Sequence, residues 1–373
     1  MKKKALIIVG VAYAVAIASL ASGNLLHNFF GINGVAEHKV NDDPFTIFEE
    51  STPSSSSKPS TSSKPSSSSK ASEAASSSAA DELPDREVNT TPSPYTETTL
   101  TYTRYNTSTY DPDGECLDSH GNAITFYTLE VKIKKITDFR TNQVTDSNGY
   151  PGDNCLNTLF NQVTEVERKY NVDVMGAING DSSYNNLDHR LGYVLRNGQV
   201  LRSQYRTGVD SVFEDLVLWN DGTMSVYTEP GFTGTRRNAS IPTYSTDYLT
   251  RNKAWQVWTF GPTLIDNGAI VVNDDEDVAS PHQSGNQRTA IGYVGPYHYI
   301  FFVSQGRSRP DKTDGFSLQE VATKLLARGC TLAYNLDGGD SSTLYAIWDN
   351  STKKFPSKTS PRRIGDMIYV VNA

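Results

Sequence analysis

The segment 332–346, LAYNLDGGDSSTLYA, joins a short apolar run to a turn that is rich in small, acidic and hydroxyl side chains. A buried strand that ends in an ordinary turn needs one glycine and one Asp or Asn. Here Asp337 and Asp340 flank a glycine pair, and Ser341 and Ser342 follow directly. Ligands often bind in the loops that follow buried strands. This turn therefore predicts a binding or catalytic site at the tip of a strand.

The segment 177–184, AINGDSSY, has the same character. It is again a short apolar run that ends in Asn, Gly, Asp and Ser side chains. If both runs are strands of one sheet, their tips can converge on one pocket. On composition alone, two ordinary turns remain the alternative.

Paired apolar runs around strong turn sequences predict antiparallel hairpins. Asn197-Gly198, Asp221-Gly222 and Asn267-Gly268 lie at the centres of three such pairs. These dipeptides supply the positive φ angles that tight hairpin turns need. Residues 290–303 predict a further hairpin, and residues 124–136 predict a long alternating strand.

Two segments, 154–169 and 317–329, have the apolar spacing of helices. In the second, Ser317 and Glu320 have the spacing of a capping box, and Gly329 is a natural stop. Hairpins with a few helices predict an α+β fold. We expect a mixed, largely antiparallel sheet built from hairpins, with a few packed helices, in a single catalytic domain.

The N-terminus has the pattern of an export segment. Residues 2–4 are lysines, and an apolar run of roughly 18 residues follows, near the minimum length for crossing a bilayer. Residues 1–30 are predicted to be an uncleaved signal-anchor, which we favour, or a cleaved signal peptide. Because the lysines precede the apolar run, the positive-inside rule places the rest of the chain outside the cell. We expect a single-pass protein of the cell membrane with an extracellular catalytic domain, or a secreted protein if the segment is cleaved.

A serine-rich stretch follows this segment. Residues 51–80 are more than half serine, and such a composition buries too little apolar surface to offset the entropy of ordering. We therefore assign residues 31–95 to a disordered extracellular linker and residues 96–373 to the folded catalytic domain.

The composition excludes several classes of partner and ligand. The chain of 373 residues has a formal net charge of −8, so a nucleic-acid partner is not expected. The acidic stretches lack the spacing of an EF-hand, and the cysteines lack that of a metal site. No metal and no other cofactor is predicted, and the sequence identifies no protein partner.

The three cysteines predict one disulfide. Cys116 and Cys155 lie in polar loops, and an extracellular location permits a bond between them. Cys330 follows the second predicted helix and is expected to be a buried free thiol.

The Gly-Asp-Ser sequence at 339–341 suggests a serine hydrolase, but that chemistry needs a histidine to accept the serine proton. All six histidines precede this segment, so the usual order of such hydrolases is missing.

Arg288, at the start of an apolar strand, is a candidate for binding an oxyanion, because a guanidinium forms two parallel hydrogen bonds with a phosphate. An ordinary salt-bridge arginine is the alternative.

In the order in which they occur, several motifs resemble the phosphodiester glycosidase family. They are RTAIGY at 288–293, the Gly306-Arg307 loop, the helix that carries Glu320, and NLDGGDSS at 335–342. Upstream, segment 177–184 is similar to a strand end of the family, and the likeness covers about residues 120–373. The resemblance implies hydrolysis of the bond between a sugar's anomeric carbon and a phosphodiester.

The resemblance also implies roles for individual residues. Asp337 would act as nucleophile, base or electrostatic partner of the anomeric centre, with Glu320 as the reserve second carboxylate. Arg288, helped by Arg307, would bind the phosphate. The residues that would bind the sugar or the attacking water are Asn179, Gly180, Asp181, Asn335, Gly338, Gly339, Asp340, Ser341 and Ser342.

The chain departs from the family pattern at two positions. Asp340 stands where a third glycine is commonest, and Asp181 adds a carboxylate to the upstream strand end. The substrate therefore need not be that of other members.

We expect a sugar-phosphate-containing glycan of the cell envelope or an exopolysaccharide as substrate, and a membrane contact through the N-terminal segment. Two alternatives stay open: a non-catalytic cell-envelope glycan-binding module, and a transferase that forms envelope phosphodiesters.

Overall fold

The computed structural model describes residues 83–145, 155–181, 193–203, 214–228, 241–245, 247–273, 286–307, 314–356 and 361–372. The predicted signal or anchor segment and most of the predicted linker lie outside these residues. Within them, no helix is long and apolar enough to cross a membrane. All of the described residues belong to one compact unit.

The largest of three sheets has seven antiparallel strands. In spatial order they are β1 (Thr99–Tyr105), β2 (Phe126–Lys132), β13 (His298–Ser304), β12 (Arg288–Gly295), β14 (Leu332–Asn335), β10 (Thr263–Asp266) and β11 (Ala269–Ile270).

The other two sheets have five strands each, and their neighbouring strands are also antiparallel. The second has the order β16 (Ser351–Phe355), β15 (Leu344–Trp348), β4 (Asp173–Asn179), β17 (Asp366–Asn372) and β3 (Phe139–Gln143). The third has the order β6 (Gln199–Arg202), β5 (Val194–Arg196), β9 (Ala254–Thr259), β7 (Glu214–Trp219) and β8 (Met224–Thr228).

The predicted hairpins are confirmed. Asn197 and Gly198 join β5 to β6 with φ angles of 53° and 76°, and Asn267 and Gly268 join β10 to β11 with 49° and 77°. Positive φ at both central residues is the geometry that matches the twist of paired strands.

The predicted helices also form. The helix α1 (Leu159–Tyr170) packs on the second sheet, and α3 (Leu318–Leu326) packs on the first. A single short turn, α2 (Tyr248–Arg251), precedes β9. Helices are thus few, and the fold is predominantly antiparallel β structure. Where we expected one mixed sheet, the strands form three, because alternation along a strand does not state which sheet it joins.

The central apolar core joins the three sheets. It includes Leu129 and Phe301 from the first sheet, Ile178 and Ile368 from the second, and Trp258 from the third. Close packing in a shared core resists relative movement of the sheets that form it. Any loop that passes from one sheet to another is therefore held at both ends by a rigid body.

The predicted Cys116–Cys155 disulfide is wrong, because no bond joins these two cysteines in the structure. Cys116 is fully buried beside Phe126, because the loop that contains it folds back onto the core and its amide binds Asp111 Oδ1 at 2.8 Å. A polar loop sequence did not reveal this return to the core. Cys330 is a buried free thiol, as predicted.

Candidate active site

The loop 336–343 connects β14 of the first sheet to β15 of the second. Backbone hydrogen bonds fix it on both sides. Leu336 N donates to Thr289 O in the first sheet at 2.9 Å, and Asp337 N donates to Gly180 O beside the second sheet at 3.2 Å. Gly180 follows the last residue of β4, so the two segments that the sequence singled out meet here. They do so although their strands belong to different sheets.

Asn179 is the side chain that joins these segments. It is buried, and its Nδ2 donates to Asp337 O at 2.6 Å. Its Oδ1 accepts from Thr289 Oγ1 at 2.9 Å and from Thr343 N at 3.1 Å. The amide is therefore bound on both ends within the protein, and it positions the loop. Its predicted contact with a sugar stays a prediction.

The carboxyl group of Asp337 is buried, with 8% of the residue exposed. Its Oδ2 has no hydrogen-bond partner among the described residues. Burial raises the pKa of Asp337 to about 6, and the nearby Ser341 hydroxyl and the positive charge of Arg362 lower it by less. A buried carboxylate without its full set of partners is costly. The site therefore holds a group whose unmet hydrogen bond a ligand can make.

Ser341 and Gln287 add two more polar atoms of this kind. Ser341 is fully buried within a short 3-10 turn, Gly339–Ser341, and its Oγ has no partner in the described part of the chain. Ser341 Oγ lies near the Asp337 carboxyl group without reaching hydrogen-bond geometry with it. Gln287, immediately before β12, has a buried Oε1 that is likewise unpaired.

The two glycines of the loop allow its close approach to Gln287. A Cβ on Gly338 would lie 2.9 Å from Gln287 O, so a side chain there would displace the backbone. Gly339 has a φ of 60° and its N donates to Gln287 O at 2.9 Å. Both glycines therefore serve the shape of the loop.

A buried ion cluster lies beside the loop. Arg196 Nη2 is 2.6 Å from Asp181 Oδ1 and 3.3 Å from Asp366 Oδ2, and all three residues are buried. Asp181 also accepts from Thr259 N at 2.5 Å. Gly180 makes room for the cluster, since a Cβ there would lie 2.1 Å from Asp366 Oδ2. The structure thus gives Asp181 and Gly180 a supporting position, and the Asp181 charge adds to the rise in the pKa of Asp337.

The two predicted phosphate ligands occupy different environments. Arg288 is buried, and its Nε donates to Phe316 O at 2.8 Å, just before α3. Arg307 is exposed, with a φ of 52°, and its N donates to Asp314 O at 2.8 Å. Arg288 therefore anchors the approach to α3 through one of its nitrogens.

Glu320 takes part in the capping box of α3. Its Oε2 accepts from Ser317 N at 2.7 Å, while Ser317 Oγ accepts from Glu320 N at 3.2 Å. This structural role was the alternative that its spacing indicated. Nothing in these contacts brings Glu320 to Asp337.

The remaining predicted residues divide by exposure. Asn335 is buried, and its Nδ2 donates to Gly261 O at 2.8 Å. Ser342 is buried, and its Oγ lies 3.1 Å from Thr289 Oγ1. Asp340 is exposed at the tip of the loop. Asn335 and Ser342 thus support the loop, and Asp340 faces solvent.

Sequence reasoning missed Gln287 and Arg362. Arg362 is exposed, precedes β17, and its charge acts on the Asp337 carboxyl group. Each had one signal in the sequence: Gln287 directly precedes Arg288, and Arg362 belongs to the Arg362-Arg363 pair. Among the described residues, no three His, Cys, Asp or Glu side chains are grouped so that they could hold a metal ion.

Comparison with known proteins agrees with the motifs. Residues 172–371 match a family described as phosphodiester glycosidase. No curated protein matches the chain. The solved catalytic domain of zebrafish N-acetylglucosamine-1-phosphodiester α-N-acetylglucosaminidase, auto-inhibited by its pro-peptide, is similar in fold, with a TM-score of 0.54 and 17% identity over 77% of this chain and 87% of that chain.

Two other solved structures are more distant. A hypothetical protein from Synechocystis has a TM-score of 0.44 and 16% identity over 74% of this chain and 62% of that chain. A putative exported protein from Burkholderia pseudomallei has a TM-score of 0.40 and 12% identity over 69% of this chain and 76% of that chain.

Replacing Asp337 by Asn should stabilise the folded protein at neutral pH. The carboxyl pKa rises from its ordinary value of 3.8 to about 6 on folding. The folded state therefore binds more protons between these values, and wild-type stability falls as the pH rises through them. Above pH 6 the neutral amide of the variant avoids this penalty. Its free energy of unfolding should then exceed that of wild type by roughly 2–3 kcal/mol.

Equilibrium denaturation at pH 7.5 and at a pH about one unit below 3.8 measures the difference. At the lower pH the gain should vanish, because the wild-type carboxyl group is then protonated in both the folded and the unfolded state. The exposed Asp340→Asn in the same loop is the matched control and should show no such pH dependence. A variant that is no more stable than wild type at pH 7.5 would contradict the burial argument.

Proposed function

Because the chain belongs to the phosphodiester glycosidase family, we propose that it hydrolyses the bond between a sugar's anomeric carbon and a phosphodiester. The observation that carries the proposal is the buried, incompletely paired carboxyl group of Asp337 at the junction of two sheets. A group in this condition reduces stability, and perturbed pKa values of this kind are concentrated at functional sites.

Asp337 supplies negative charge to the anomeric centre. Departure of the phosphate leaves an oxocarbenium-like sugar, which a carboxylate stabilises or attacks. With a pKa of about 6, Asp337 is mostly ionised at neutral pH and can do either. A phosphate leaves with little protonation, so the reaction needs no strong general acid. This agrees with the contacts of Asp181 and Glu320, whose carboxylates are bound elsewhere.

Arginine side chains stabilise the departing phosphate. Arg362 is exposed, and its positive charge acts on the Asp337 carboxyl group. It is therefore suited to stabilise a phosphate that departs from an anomeric carbon bound beside Asp337. Arg288 remains the candidate that the family resemblance implies.

The finer parts of the proposal concern place and substrate. We propose that residues 1–30 direct export and that the enzyme acts on a phosphodiester-containing glycan of the envelope or an exopolysaccharide. The lysines and apolar run at the N-terminus and the serine-rich stretch support this.

Replacing Asp337 by Asn should abolish release of sugar from a sugar 1-(methyl phosphate) diester. The amide keeps the shape of the side chain but not its charge, so kcat should fall by at least about 1,000-fold while KM changes little. In wild type, kcat/KM should fall as the pH drops below about 6, since the protonated acid is inactive.

The same assay separates the alternatives. A binding module would release no sugar with the wild-type chain, and a transferase would give a glycan-linked product when an acceptor is present. Asp349→Asn, at an exposed turn directly after β15, serves as the control and should keep near-normal turnover. Near-normal turnover by the Asp337 variant would remove that residue from the chemistry.

Replacing Arg362 by Gln should raise KM for the diester about tenfold, because a charged contact to the phosphate is lost. It should also move the acidic limb of the pH profile upwards, since the charge of Arg362 lowers the pKa of Asp337. Arg363→Gln is the matched control. Arg363 is also exposed, and its Nε donates to Leu156 O at 2.6 Å. Equal behaviour of the two variants would argue against a specific role for Arg362.

The export proposal predicts that protease added to intact cells releases a folded fragment that begins between about residues 80 and 100. In the structure, Arg86 Nη2 already binds Asp221 Oδ2 at 3.0 Å and its guanidinium lies 4.3 Å from the Trp219 ring, so the chain is held from there onwards. Full protection of the protein until the cells are lysed would contradict export.

A further inference from the structure

Gln287 is placed against the active-site loop by its backbone. Its carbonyl oxygen accepts from Gly339 N at 2.9 Å, between Asp337 and Ser341 in sequence. The next residue along the chain begins β12, so the position is fixed by the first sheet. Gln287 therefore lies on a rigid element at the edge of the loop, and the side chain is half-buried there.

The Gln287 side chain has a polar atom that the protein leaves unpaired. Its Oε1 is buried and has no partner among the described residues, as is also true of Asp337 Oδ2 and Ser341 Oγ. A buried amide oxygen without a donor destabilises the folded protein. A glutamine with a purely structural role would be expected to find a partner, as Asn179 does.

The chemistry of the unpaired atoms indicates which part of a substrate they meet. A carboxylate oxygen and an amide oxygen accept hydrogen bonds, and a hydroxyl can accept or donate. The oxygens of a phosphodiester can only accept, so they cannot satisfy Asp337 Oδ2 or Gln287 Oε1. A sugar carries hydroxyl groups, and some sugars carry amide N–H groups, which are donors.

We propose that Gln287 determines sugar specificity by accepting, through its side-chain oxygen, a hydrogen bond from a hydroxyl or amide N–H of the sugar that binds against Asp337. The inference rests on the proposed function for the presence of a sugar at this loop. In this arrangement the sugar binds on the Gln287 side of the loop, and the arginines bind the phosphate. Gln287 contacts a part of the substrate whose bonds do not change, so its role is recognition.

The test uses α-configured 1-(methyl phosphate) diesters of glucose, mannose and N-acetylglucosamine, together with monodeoxy and monofluoro analogues of the best substrate. Fluorine cannot donate a hydrogen bond, so at the recognised position both analogues should be turned over at least about tenfold less well than the parent. Gln287→Ala should reduce kcat/KM for the parent by about the same factor and leave those analogues almost unaffected.

Gln287→Glu keeps the acceptor oxygen and provides a second measurement. It should retain the preference for the parent over the deoxy analogue, and its added negative charge should move the acidic limb of the pH profile upwards. Gln319→Ala, at an exposed glutamine of α3, is the control and should behave as wild type.

Binding measurements separate this inference from the proposed hydrolysis. Calorimetry with the corresponding sugar 1-phosphates reports recognition whether or not the bond is cleaved. If wild type binds them with a Gln287-dependent preference but cleaves no diester, the hydrolase proposal fails and the inference stands. The inference is overturned if Gln287→Ala weakens parent and every deoxy analogue equally, if it changes nothing, or if no sugar 1-phosphate binds.

Discussion

The side-chain amide of Asn179 is the contact on which the arrangement of the site depends. It donates to Asp337 O from the end of a strand in the second sheet, and it accepts from Thr289 in the first sheet and from Thr343 at the last position of the loop. One buried group thus fixes the ends of two sheets and the loop between them. An amide suits this position because it provides a donor and an acceptor in one rigid plane. Neither an Asp nor a Leu of similar size could do both.

The electrostatic environment of the loop depends on the buried ion cluster beside it. Arg196 is bound to Asp181 and Asp366, so one buried cation faces two buried carboxylates. The cluster therefore offers little positive charge to Asp337, and burial dominates the rise in the pKa of that carboxyl group. A closer cation would have kept the carboxylate ionised at lower pH but would also have occupied the oxygen that a substrate needs. The protein instead keeps the exposed Arg362 nearby.

The sequence predicted the local structures and the family well. Turn dipeptides, the capping box of α3 and the NLDGGDSS motif each depend on a few neighbouring residues, and such patterns are visible in sequence. The division into three sheets depends on pairing between distant strands, which alternation does not specify. For the same reason, sequence alone could not distinguish Asp181, which is bound by Arg196, from Asp337, whose Oδ2 is unpaired, although both follow similar apolar runs. Gln287 carries only a weak local signal, its place directly before Arg288, because its proposed role depends on a loop fifty residues away.

The passage of loop 336–343 from one sheet to another has a consequence for how the site opens. Surface loops usually fluctuate independently of the core, and their amide protons exchange quickly with solvent. Here the amides of Leu336 and Gly339 bind carbonyls at the start of β12, the amide of Asp337 binds the carbonyl of Gly180 after β4, and both ends of the loop continue into core strands. Exposing all three amides requires the loop to leave both the first sheet and the end of β4. The site therefore has the protection of a core strand, and a substrate meets a preformed surface that its binding does not have to order.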